Sequence, residues 1–149
     1  MITRREVVPT DIPLFFAHQQ DPEARRIAAV AVRDREPFEA HWAGIRRDET
    51  VIARTILVGE RVAGNVQCFG PAAEREVGYW IARAYWGRGI ATHAVSAFLS
   101  VVLERPLHAH VAEHNLASTR VLEKCGFQRC GNAIVAVDGV REILLQLAA

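Results

Sequence analysis

The sequence predicts one α+β domain, mixed α/β in character: a central, mostly antiparallel twisted sheet flanked by helices, with one parallel strand pair. Three observations predict it. The chain has 149 residues, half of them apolar and 23% charged, which suits one ordinary domain with a real core. Short helical patterns give way at Thr50 to β-rich runs joined by tight turns. Two later β-rich runs then flank a long amphipathic stretch, the helical crossover that parallel neighbours require.

Ile2 to Val8 reads as a first strand, ended by Pro9. Thr10 is suited to cap a short helix through Ala17, with Pro13 tolerable in its first turn. Asp21-Pro22-Glu23 reads as N-cap, first position and acidic first turn of a second helix, running to about Val32. Pro37 opens a third helix, with Phe38, Trp42 and Ile45 at core-facing spacing. Val51 to Val58 and Arg61 to Phe69 form a hairpin about Gly59-Glu60, and Gly64 inside it signals a bulge or a close backbone approach.

Gly70-Pro71 breaks the chain before a strand from Arg75 to Ala82, and a loop from Arg83 to Arg88 leads into a helix over Gly89 to Glu104. Ala91, Ala94, Val95, Phe98 and Val102 share the apolar face of that helix. Leu107 to Ala112 is a short strand, Asn115 caps a further helix, and Gly126 closes it. Two β-rich runs, Phe127 to Cys130 and Ala133 to Val137, precede a turn at Asp138-Gly139 and a last strand, Val140 to Leu147. No repeat, linker or low-complexity segment interrupts residues 1–149, so a single domain is expected.

Composition excludes several classes. A net charge of +1 gives no footing to a nucleic-acid binder that tracks phosphates. Cys68, Cys125 and Cys130 make no CxxC pair and no even disulfide framework, so a reducing, cytoplasmic compartment is expected. Met1 to Glu6 has no apolar segment behind its charges, and the longest mostly apolar run, Ala94 to Leu103, is about half a bilayer span. Neither a signal peptide nor membrane insertion is expected.

The chemistry concentrates between Glu76 and Thr92. A strand ends, a loop with Gly87 and Gly89 follows, and a helix starts at once. Two glycines let the backbone turn and bring successive N–H groups to a ligand. The unpartnered amides of a helix start attract phosphate oxygens, and Arg83 and Arg88 add charge. A second segment, Asn115-Leu116-Ala117-Ser118 continuing to Leu122-Glu123-Lys124-Cys125-Gly126-Phe127, follows the next strand.

In this order and spacing the two segments resemble the signature motifs of the GNAT superfamily of acetyl-CoA-dependent N-acetyltransferases. Trp86 to Ala91 resembles the pyrophosphate loop, although Trp86 replaces the commoner Arg or Gln. Tyr85-Trp86-Gly87-Arg88-Gly89-Ile90-Ala91-Thr92 is similar to the ribosomal-protein N-terminal acetyltransferase-like (Rim-type) branch. The resemblance implies acetyl-CoA as co-substrate, no metal, and a mixed sheet whose parallel strands splay near Ile81 and His110 to admit the pantetheine arm. It implies main-chain donors near Tyr79, Trp80 and Ile81 for the thioester carbonyl, and a coenzyme site built from Arg83, Trp86, Gly87, Arg88, Gly89, Ile90, Ala91, Thr92, Asn115 and Ser118.

An amine must also lose a proton and the sulfur must gain one. Glu76 is the carboxylate closest to the expected splay, with Glu74, His110, Glu113 or water as rivals. Many relatives place a Tyr where this chain has Leu122, and Ser118 is the natural substitute as acid. The acceptor is a primary amine, on a small molecule or a peptide N-terminus. Arg25, Arg26, Arg33 and Arg35 in the expected acceptor wall lean toward an anionic group or a peptide rather than a polyamine. Homodimers are common among similar proteins. Other readings fit less well: the third small residue of a dinucleotide fingerprint falls on Thr92, and His108, His110, His114, Cys125 and Cys130 match no zinc spacing. The remaining alternative is a coenzyme A-binding module without catalysis, kept open by Leu122.

Overall fold

The computed structural model describes residues 1–30, 33–135 and 139–149. Strands β1 (Ile2–Glu6), β2 (Ile52–Val58), β3 (Arg61–Phe69), β4 (Glu76–Ile81), β5 (Leu107–Ala112), β6 (Gln128–Val135) and β7 (Arg141–Leu147) form one sheet in the order β1-β2-β3-β4-β5-β7-β6. All neighbours are antiparallel except β4 and β5. The helices are α1 (Ile12–Gln19), α2 (Pro22–Ala28), α3 (Arg35–Arg47), α4 (Ile90–Leu99) and α5 (Leu116–Lys124). This is the mixed, mostly antiparallel sheet that the patterning predicts, with α4 as the crossover between the parallel strands.

The sheet has a core on each face. Ile56, Val66, Cys68, Val77, Ile81, Ala109 and Leu145 pack under Ala94, Val95 and Phe98 of α4 and Leu122 of α5. On the other face, Ile12, Phe15, Phe38 and Trp42 of α1 and α3 cover Ala53 and Val62. The aromatic rings there meet tilted or edge-on, Phe15 and Trp42 with centroids 4.8 Å apart and Phe16 and Phe38 at 5.4 Å. Strand alternation assigns the rest: Leu107, Ala109 and Val111 of β5 are buried toward α4, which turns His108 and His110 to the opposite face.

Gly64 is a position where only glycine fits. A Cβ there would lie 2.0 Å from the Trp80 carbonyl oxygen, and the β2–β3 register shifts beside it, between Ile56 and Leu57. Both readings of this glycine, bulge and close approach, hold together. A buried polar knot joins β1 to β2: Arg5 donates two bonds to the Asp11 carboxylate, at 2.6 and 2.9 Å, Thr55 Oγ1 donates at 2.7 Å and the Val8 amide at 3.0 Å.

Several expected boundaries change. Residues Pro9–Asp11 form a 3₁₀ turn, so Asp11 rather than Thr10 precedes α1. Asp21 caps α2 as expected, accepting from the Glu23 amide at 2.9 Å, but the helix stops at Ala28 because Ala29 turns left-handed with φ +52°. Val32 lies outside the described residues. The third helix begins at Arg35, before Pro37. Helix α4 ends at Leu99 instead of Glu104: the Ser100 hydroxyl caps Ala97 O at 2.6 Å, and the Arg105 guanidinium takes Val102 O at 2.8 Å and Leu99 O at 3.3 Å. The two runs before the last turn are one strand, β6, with an irregularity between Cys130 and Ile134. Val137 and Asp138 of the expected strand and turn lie outside the described residues. Among those residues no helix is long and apolar enough to cross a membrane.

Candidate active site

The register between β4 and β5 consists of one pair, Glu76 beside His108, with the His108 amide donating to Arg75 O at 2.8 Å. Beyond it the strands part. In a strand, a residue's N–H and C=O point to the same side and successive residues alternate. Ala82 N–H bonds Ala63 O of β3, whereas Arg75 O faces β5, so Tyr79 and Ile81 turn their main-chain groups into the gap. The Trp86 indole N–H enters that gap to hold Ile81 O at 2.8 Å. Trp86 therefore braces the loop against the strand end.

A cleft of about 520 Å³ opens from this gap. Its walls are Tyr79, Trp80 and Ile81 of β4, Trp86 to Gly89 less Arg88, Ile90 to Thr92 of α4, and Asn115, Ala117, Ser118 and Val121 around α5. Ala24, Ile27 and Ala28 of α2 close one side. Gly87 and Gly89 carry φ +75° and +73°, and a Cβ on either would meet nothing within 4 Å, so the loop presents bare backbone to open space. Gly89 is the residue immediately before α4, whose first amides have no helical acceptors. Arg120 and Lys124 also line this concave mouth, which is suited to a pyrophosphate and leads to a slot where a strand is missing.

Of the residues expected at the coenzyme site, Arg83 and Arg88 lie outside these walls. Arg83 bonds Asp21 Oδ1 at 3.3 Å, tying the loop to the start of α2, and Arg88 stacks over the Tyr85 ring at 5.6 Å. Both are spent on bracing the loop.

Ser118 stands where the cleft meets α5. Asn115 Oδ1 accepts from its amide at 3.2 Å, which makes Asn115 the N-cap, and the Tyr79 hydroxyl donates to Ser118 Oγ at 3.0 Å. Burial pushes the Tyr79 phenol up to about 12, so it stays protonated. Leu122 is buried in the core and cannot stand in for a polar group. A tyrosine hydroxyl nevertheless reaches the site, from β4 instead of α5. Sequence reasoning counted only the Tyr79 main chain. Alternation would have found the side chain, because Val77, Tyr79 and Ile81 share the face toward α4 and α5.

At the closed end of the gap, Glu76 Oε1 contacts His110 Nδ1. Both side chains are half-exposed, on the face away from α4. The other candidates separate from them. Glu74 is off the strand, in an exposed 3₁₀ turn over Ala72–Glu74, contrary to its expected place beside Glu76. Glu113 pairs with Arg141 at 3.3 Å on the surface beyond β5. A larger groove of about 950 Å³ lies at the other end of β4, between the end of α3 and Gly70–Ala72, and contains none of the expected site residues.

The fold is a mixed sheet split at its parallel pair, with a glycine loop and a helix start at the mouth of the cleft. The sequence matches the acetyltransferase (GNAT) domain over residues 2–128, and the chain belongs to that family. The probable N-acetyltransferase YjcK of Bacillus subtilis (strain 168) is 38% identical over 94 residues, covering 56% of this chain and 51% of its own. The chain thus spans about half the length of that curated relative. The spermidine N-acetyltransferase of Vibrio cholerae, solved with CoA and spermine, superposes with a TM-score of 0.86 at 14% identity, covering 99% of this chain and 95% of its own. The aminoglycoside acetyltransferase AAC(6')-Ib in complex with coenzyme A gives 0.81 at 16%, with the same coverage. Identities this low carry the fold.

Proposed function

We propose that residues 1–149 form one N-acetyltransferase domain that moves an acetyl group from acetyl-CoA to a primary amine by direct attack. The observation that carries this reading is the cleft itself: main-chain donors of Tyr79 and Ile81 facing a strand-wide gap, with bare glycine backbone and a helix start at its mouth. The amides of Gly87 to Ala91 would hold the pyrophosphate, with Thr92, Trp86 and Asn115 around the arm. Acetyl-CoA would supply an acetyl group already activated as a thioester. Tyr79 and Ile81 N–H would hold the acyl oxygen, and Ser118, fixed by Tyr79, would offer its O–H to the sulfur. Glu76 marks the end of the gap where the amine proton leaves.

The ribosomal-protein-like (Rim-type) branch is supported by the Tyr85-Trp86-Gly87 start of the loop, where the indole has a structural task. Two of the solved neighbours named above are a spermidine N-acetyltransferase with spermine bound and an aminoglycoside acetyltransferase, which supports a small-molecule amine here and leaves a peptide N-terminus as the alternative. The lean toward an anionic acceptor weakens, because Arg25 bonds Gln19 O, Arg26 pairs with Glu23, and Arg35 pairs with Glu39. Three free cysteines support a reducing cytoplasm. Self-association has a precedent in the dodecameric Vibrio cholerae enzyme and is read by light scattering.

The decisive experiment is a screen for released thiol with acetyl-CoA and amino acids, polyamines, aminoglycosides and short peptides, run beside calorimetry with coenzyme A. Thiol release with at least one amine supports the enzyme. Tight coenzyme A binding without turnover on any amine supports an inactive binding module. Absence of coenzyme A binding overturns the placement.

A further inference from the structure

Glu76 and His110 are in contact, and this sets which ring nitrogen faces the carboxylate and which faces away from it. An ionised carboxylate only accepts hydrogen bonds. Its oxygen at His110 Nδ1 therefore places the ring proton on Nδ1 and leaves the lone pair on Nε2. Glu76 spends one carboxylate oxygen on this bond, while Nε2 meets no hydrogen-bond partner among the described residues and the ring is 38% exposed.

The position of the ring is equally informative. In the parallel register Glu76 lies beside His108, so His110 stands across the parting gap from Gly78. Gly78 has no side chain, and a Cβ there would meet only Phe69 Cε1, at 3.6 Å. The floor beside the ring is thus bare on the face away from α4, one residue before the Tyr79 amide turns into the gap. His108, the next histidine on that face, is within 3.4 Å of Gln146 Nε2, and His114 Nε2 is 3.0 Å from Arg26 O. Of His108, His110 and His114, His110 is the one that, among the described residues, combines a carboxylate at one nitrogen with a place at the gap.

We infer that His110, held in its Nδ1–H form by Glu76, is the group that deprotonates the acceptor amine, and that Glu76 is a positioning residue. This rests on the acetyl-transfer reading above. An alkylammonium gives one proton to His110 Nε2, directly or through one water, and becomes a nucleophilic amine. The N–C bond forms and the C–S bond breaks, the second nitrogen proton goes to the departing sulfur, and His110 returns its proton to solvent. One amide, one thiol and one released proton balance the reaction.

The test has two arms on the full chain. In the first, ¹⁵N NMR of the imidazoles without any ligand should find His110 as the Nδ1–H tautomer, a signature lost in Glu76→Ala and retained in Glu76→Gln, whose amide oxygen still accepts. In the second, with the best amine from the thiol-release screen, His110→Ala should lower kcat by roughly a hundred- to ten-thousand-fold with acetyl-CoA affinity unchanged. Glu76→Gln should lose about tenfold or less, and Glu76→Ala clearly more. A His110→Ala enzyme within about threefold of wild type, or a Glu76→Gln enzyme as impaired as Glu76→Ala, overturns the assignment and returns the base to Glu76. An Nε2–H tautomer overturns it without any turnover measurement. If no amine turns over while the tautomer is as expected, the acetyl-transfer reading fails and the pairing stands.

Discussion

Ser118 makes two bonds that leave its own proton unused: its amide goes to Asn115 Oδ1 and its oxygen accepts from Tyr79. Ser118 lines the cleft, so its hydroxyl proton is within reach of a bound ligand. A donor that strengthens as charge builds on sulfur lowers the barrier without tightening the ground state. Ser118→Ala should therefore reduce kcat by roughly ten- to a thousand-fold with little change in coenzyme A affinity. Tyr79→Phe removes the bond that orients Ser118 and should cost about tenfold. Because the two groups act as one, the double variant should resemble Ser118→Ala alone, and a product of the two losses would refute the coupling. Full-length kinetics with parallel melting curves separate these effects from a lost helix cap. The same scale explains what was hidden. Leu122 in the sequence reads as a missing acid; alternation along β4 turns Tyr79 toward α5, and the fold shows its hydroxyl meeting Ser118.

Elements in this protein are joined by a few polar anchors, of which the Asp11 knot is the most buried. Burial pushes the Asp11 carboxyl up, but the bonds from Arg5, Thr55 and Val8 outweigh it and hold it below its ordinary 3.8. A lowered value in the folded state means that the unfolded chain takes up the proton first on acidification. The knot's contribution is complete above the ordinary carboxylate value and drains away as the pH falls through the lowered one. Asp11→Asn should cost about 2 kcal/mol near neutrality, and urea melts from pH 7 down to 3 should show a shallower acid decline than wild type. An unchanged decline removes Asp11 from the account. Element types were legible because Asp21-Pro22, Asn115, Gly59 and Gly126 carry their structural reason in their chemistry. Helix ends were less so. The stop at Ala29 has no glycine to announce it, and the end of α4 depends on Arg105 reaching back to carbonyls of the preceding turn.

For the whole molecule, the two motifs are meaningful because α4 carries the chain from one parallel strand to the other and α5 returns it to the same mouth. That geometry was legible from the order of strands and helices. The pairing of Glu76 with His110 was not, since it joins residues 34 apart in the chain. Ligand binding should report on the assembled mouth. Coenzyme A at a hundred times its Kd should add about 2.7 kcal/mol, or about 5–10 °C in Tm. Gly89→Val introduces a β-branched residue at φ +73° and a side chain into the space over the loop. The variant should remain folded by circular dichroism and lose most of that thermal shift. A full shift in a folded variant moves the pyrophosphate elsewhere.

The parted strands also give β4 two kinds of amide in alternation. Trp80 and Ala82 are turned toward β3, whereas Tyr79 and Ile81 face a gap that no neighbouring strand of the described residues closes. Deuterium should enter the strand end unevenly, quickly at Tyr79 and Ile81 and slowly at Trp80 and Ala82, although all belong to one continuous stretch of backbone. A ligand that completes the sheet would erase that alternation. The rhythm of exchange from Tyr79 to Ala82 would then show, without any assay of chemistry, that a small molecule has taken the place of a strand.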